Sequence, residues 1–181
     1  MCNREPQRLR DAADQLNRYA FRHATPILIA PPGAAPDDIR SASGFLLRLG
    51  HHTYLGTAWH VVQYWIGRLA QDSHVLFQVG GASFAPDSIA WRDEANDLVL
   101  LHVSDDERDR IDASVCEPLP AWPPAHLAAG NDLFVCGFPR QLRQHLGPQD
   151  LNFIGPPESG RGRYHEQRWA GWQYPEVIEV T

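Results

Sequence analysis

Residues 43–62 read Ser43-Gly44-Phe45-Leu46-Leu47-Arg48-Leu49-Gly50-His51-His52-Thr53-Tyr54-Leu55-Gly56-Thr57-Ala58-Trp59-His60-Val61-Val62. Phe45 to Leu49 is an apolar run, and Thr53 to Leu55 is a β-prone run. Gly50, His51 and His52 separate the two, so the stretch predicts a strand, a turn and a returning strand. Thr57 to Val62 then carries the chain from the end of that strand into a short helical turn. A histidine at such a junction has scaffold on both sides, which is what a positioned proton-transfer group requires.

Working outward, residues 4–23 predict a helix. Leu9, Ala12, Ala13, Leu16, Tyr19 and Ala20 recur at three- and four-residue spacing, with charges of both signs on the other face. Thr25 to Ala30 predicts a strand that Pro31-Pro32-Gly33 ends. After His60 a short helix continues to Leu69. Further strands are expected over 74–80, 82–85, 88–92 and 98–103, with Asp93 to Asp97 as a polar loop between the last two. Residues 104–124 are charged and then proline-rich, and read as a linker. Asp132 to Cys136, Leu151 to Ile154 and Val177 to Val180 are later strand candidates. About six short strands in some 80 residues, punctuated by turn signals, predict a mostly β protein built as a barrel or sandwich.

Composition narrows the function classes. The net charge is −6 and the pI about 5.8, so nucleic acid is not an expected partner, since a basic face is the usual footprint. No apolar run reaches the roughly 20 residues that span a bilayer. The charged N-terminal segment lacks the apolar stretch of a secretory signal. No membrane association and a cytoplasmic location are therefore expected. Cys2, Cys116 and Cys136 are odd in number and lack C-x-x-C spacing, so they read as free thiols rather than a disulfide framework or zinc site. His51 and His52 are adjacent, diverge in a turn, and have no spaced cysteine or carboxylate to join them. No metal and no cofactor are expected.

Acyl transfer by a serine needs a base for the hydroxyl proton, a carboxylate that orients the base, and backbone N–H groups facing the oxyanion. His60 is the candidate general base. Asp97, in Asp93-Glu94-Ala95-Asn96-Asp97-Leu98-Val99-Leu100-Leu101, is the candidate orienting carboxylate, at the mouth of a buried strand. Four strings in order, S-G-F, T-A-W-H, D-L-V-L-L and G-F-P (Gly137-Phe138-Pro139), resemble the trypsin-like, chymotrypsin-fold serine peptidases in their bacterial, disulfide-poor form. The resemblance covers about residues 25–140. It implies a trypsin-like double β-barrel with the first barrel complete and the second partial, plus an N-terminal helix. The corresponding division is 1–24 helix, 25–104 first barrel with His60 and Asp97, 105–130 linker and 131–181 partial second barrel.

By the same resemblance the function is a serine-type endopeptidase, cleaving a peptide or protein substrate through an acyl-enzyme. The 37-residue interval from His60 to Asp97 is shorter than the template's roughly 45 residues, as trimmed loops would make it. The family's nucleophile string, G-x-S-G-G, does not occur in the 181 residues. Fewer residues follow Asp97 than the roughly 90 that the template places before the serine, and the chain reads as truncated or as a remnant. Ser159, in Pro157-Glu158-Ser159-Gly160-Arg161, is the nearest substitute. It is a weak one, because Pro157 stands where an oxyanion-hole N–H is needed and proline has none. Hydrolysis by the usual route is then expected to be absent or feeble. The alternative is a non-catalytic pseudo-peptidase that binds peptides or proteins, as one module of a larger bacterial system.

Overall fold

The computed structural model describes residue 15, residues 18–117, 132–136, 138, 143–145, 151–153 and 159–163. Residues 18–23 are helical, the described end of the helix expected over 4–23. They lead directly into β1, Ala24–Ala30.

The main sheet grows from strict alternation. β1 buries Thr25, Ile27 and Ile29 and turns the residues between them outward. The same period of two recurs in β2 (Arg40–Leu49), β3 (His52–Ala58) and β7 (Leu98–Val103), which bury Leu46, Leu55, Val99 and Leu101 completely. This is the pattern of a sheet with one face on a core. β2 and β3 join through Gly50 and His51, with Leu49 opposite His52. Gly50 has φ +61°, and a two-residue II′ hairpin turn reserves its first position for glycine.

β4 (Leu76–Val79) and β5 (Ala82–Phe84) make a second tight hairpin, and β6 (Ile89–Asp93) pairs with β7. The strand order is β5-β4-β1-β2-β3-β7-β6. Within it β4-β1-β2-β3 is a Greek key, three successive strands with the fourth returned beside the first. β5 and β6, the two ends of this order, are also consecutive in the chain. Only the single turn at Pro86–Ser88 and its flanks lie between them. Five residue steps reach at most roughly 18 Å, whereas seven strands laid flat span about 29 Å. The sheet is therefore curled on itself.

The complete first barrel expected from the sequence is, in the structure, a curled antiparallel half-barrel. Among the described residues no ladder joins β5 to β6. The core fills the curl. Trp65 lies 4.9 Å from Phe77, whose ring stands edge-on to Phe84. Trp65 comes from α1, Trp59–Leu69, which also buries Trp59 and Val62.

The expected linker begins later than residue 105. Asp105–Arg108 is a helical turn (α2) whose N-cap Ser104 forms a capping box with Glu107. Ile111 and Ala113 are buried in the core, and β8 (Val115–Cys116) pairs in parallel with Leu46 and Leu47 of β2. Isolated apolar residues in a charged stretch give no periodic signal, which is why this segment reads as a linker in the sequence. Beyond it, β9 (Asp132–Cys136) pairs with β12 (Ser159–Arg163), and β10 (Arg143–His145) with β11 (Leu151–Phe153). The strand expected over 177–180 and the rest of the 105–130 linker lie outside the described residues. No helix among the described residues is long and apolar enough to cross a membrane.

Candidate active site

His60 occupies the second position of α1, directly after β3. The first N–H groups of any helix lack intrahelical partners, and here the N-cap residue is Ala58, which has no side chain to offer. Asp97, at the head of the neighbouring strand, supplies acceptors for the first two of them. Its main-chain carbonyl accepts the Trp59 N–H at 3.1 Å, and its Oδ1 accepts the His60 N–H at 2.8 Å. A carboxylate at a helix N-terminus also complements the helix dipole. Asp97 is thus a long-range helix cap.

The second carboxylate oxygen reaches the ring. Asp97 Oδ2 lies 2.6 Å from His60 Nδ1. An ionised carboxylate only accepts, so Nδ1 carries the hydrogen, and in the neutral ring Nε2 keeps its lone pair. The backbone bond fixes where Asp97 sits, and the ring bond fixes how His60 is turned. The two side chains are 70% and 49% exposed, so the pair stands at a rim where Nε2 can meet a substrate group. Burial works against ionising Asp97. The His60 backbone N–H, then the His60 ring, outweigh it and hold the carboxyl below its ordinary range.

The loop that delivers Asp97 is tightly wired. Asp93 accepts the backbone N–H groups of Ala95 and Asn96 through Oδ1, and the Asn96 side-chain amide through Oδ2 at 2.7 Å. Asp97 then takes φ +53°, the one non-glycine residue among those described with positive φ. Aspartate tolerates that left-handed region better than most residues, though at some cost. Beside the pair, Trp59 is buried and carries the Arg92 guanidinium 4.9 Å from its ring centre.

Four strings separated in sequence meet here. Thr57 of T-A-W-H donates its hydroxyl to the Ser43 carbonyl at 2.9 Å, and Ser43 Oγ accepts the Phe138 N–H of G-F-P at 2.8 Å. Asp97 of D-L-V-L-L holds His60. Sequence reasoning used Ser43 only as the first letter of S-G-F and gave it no bonding role, yet it ties the hairpin to the later segment. The capping role of Asp97 was also missed. Its available signal was an alanine at the start of a helix, which leaves the cap to be found elsewhere. Ser159 opens β12 in register with Cys136, within a strand ladder. Cys116 is half-buried and unpaired by disulfide, and burial pushes its thiol pKa up, away from reactivity. Among the described residues no group of three or more His, Cys, Asp or Glu converges. No protein-family model matches the chain, and searches of curated proteins and of solved structures return no similar protein.

Proposed function

We propose that the chain is a trypsin-like serine peptidase domain, with His60 as general base and Asp97 as the carboxylate that orients it. One observation carries this reading. Asp97 grips the backbone and the ring of His60 at once, so the imidazole is held in the tautomer that leaves Nε2 able to take a hydroxyl proton. The parent chemistry is peptide-bond hydrolysis through an acyl-enzyme. The 181 residues contain no G-x-S-G-G string, so on their own they lack the usual nucleophile.

A second reading, a peptide- or protein-binding module that no longer cleaves, is favoured by the cap. Closing the start of α1 is a structural task that would retain Asp97 without any catalysis. Two measurements on the 181-residue protein test these readings. Nitrogen-15 NMR of the imidazoles should show His60 protonated at Nδ1 in its neutral form. The opposite tautomer would sink the base assignment. A fluorophosphonate probe should leave the protein unlabelled. Labelling that disappears in both His60→Ala and Ser159→Ala would instead make Ser159 a working nucleophile and remove the binding-module reading.

A further inference from the structure

The outer face of the sheet carries a pair of histidines, unconnected with His60. His52 stands on β3 and His102 on β7, two strands paired with Tyr54 opposite His102. His52 is therefore the diagonal neighbour of His102, a spacing across which long side chains meet. Both are exposed, and their ring centres are 5.7 Å apart with planes inclined at 59°. Tyr54 stands against both rings, at 6.3 and 6.0 Å, and walls one side of the pair.

That separation leaves room for one shared metal ion when a nitrogen of each ring turns toward the other ring. With a metal–nitrogen distance near 2.1 Å, an ion lies roughly 3.3 Å from an imidazole centre, so rings about 5–6 Å apart subtend an angle close to tetrahedral or trigonal at the ion. Two imidazoles select borderline transition metals over hard ions such as Mg²⁺ or Ca²⁺. With no third His, Cys, Asp or Glu converging among the described residues, water would have to complete the coordination of a bound ion. We propose that His52 and His102 form a cross-strand clamp for a divalent transition-metal ion.

The clamp joins the two strands that present the candidate active site. β3 runs from His52 to Ala58, two residues before His60, and β7 begins at Leu98, immediately after Asp97. An ion at the far end of this ladder resists separation of the strands that hold His60 and Asp97. An adjacent histidine pair in one turn could not do this, and His51, beside His52, lies in the turn rather than on the ladder. This proposal does not depend on the peptidase reading.

The test is Ni²⁺ titration of the whole 181-residue protein by calorimetry, with imidazole NMR as a second readout. One site is expected, with paramagnetic broadening of the His52 and His102 signals first. His52→Ala and His102→Ala should each weaken binding at least about tenfold, since even loss of a partner behind a metal ligand costs that much. His51→Ala and His60→Ala should leave it within about twofold of the parent. An ion at a hundredfold excess over its dissociation constant should raise the melting temperature by roughly 5 °C. Binding that survives His102→Ala, or that is lost in His51→Ala or His60→Ala, would overturn the clamp. Both ligands are exposed on the sheet surface, so the alanine variants keep the core, and circular dichroism confirms their fold.

Discussion

Asp72 and Asp97 make the same two kinds of bond. Each accepts a histidine's backbone N–H and contacts the same histidine's Nδ1. Asp72 does so with His74, two residues on, using one oxygen for both, at 2.9 and 3.1 Å. It is an Asx turn, available to almost any short loop. Asp97 does so with His60, 37 residues away, using one oxygen for each, at 2.8 and 2.6 Å. Both carboxyls are held below their ordinary pKa range. For Asp72 the His74 backbone N–H is the first cause, whereas for Asp97 the bonds must first overcome burial. The local pair costs the fold nothing. The distant pair needs β3 and β7 in register, a loop wired by Asp93 and a left-handed backbone at Asp97. An Asp–His contact is therefore informative in proportion to the structure required to make it.

Disabling the sheet attacks this contrast most strongly. Leu101 is fully buried on β7, and Leu101→Ala should cost about 2–5 kcal/mol, read as a lower urea midpoint. An unchanged midpoint would mean that the support under Asp97 is not the sheet core. Next in size is Asp97→Ala, which removes the cap on α1 and should cost about 1 kcal/mol. Asp97→Asn separates capping from charge, because asparagine caps as well as aspartate. Its stability at neutral pH should stay near the parent's, while the His60 tautomer control weakens. Its pH dependence should also differ. A carboxyl whose folded pKa lies below its unfolded value adds stability that is present above the unfolded value and lost as pH falls through the folded one. The parent should therefore lose stability below about pH 4, the ordinary carboxylate range, and Asp97→Asn should show a flatter acid limb in urea titrations. Smallest of all, Asp72→Ala should leave both the urea midpoint and the His60 signals unchanged, as expected of an exposed turn.

The strands were legible where an apolar run met a turn signal. Thr25 to Ala30 and Leu98 to Val103 are such runs, and Gly50 and Gly80 mark hairpin turns that need positive φ. His60 and Asp97 were legible as a pair because each sits where an element begins. Less was readable where a residue's partner lies far along the chain. Val115 and Cys116 form a two-residue strand that pairs with Leu46 and Leu47 of β2, just past the point where the β1 ladder ends at Phe45. Ile111 and Ala113 are buried singly. Nothing at Asp97 announces that it caps a helix, and nothing at His52 announces His102. Both follow from the β3–β7 register, which no local pattern encodes.

That register also sets an order of events. The β2–β3, β4–β5 and β6–β7 ladders close across short turns, so each can form early from neighbouring residues. The β3–β7 ladder, with Thr57 opposite Val99, and the β1–β4 ladder, with Ile27 opposite Val79, close long loops and come slowly. His60 meets Asp97 only when the former has zipped. The chain can thus hold most of its hairpins while its histidine is still ungripped, and the Asp97-bonded state of that ring reports that the β3–β7 ladder has closed.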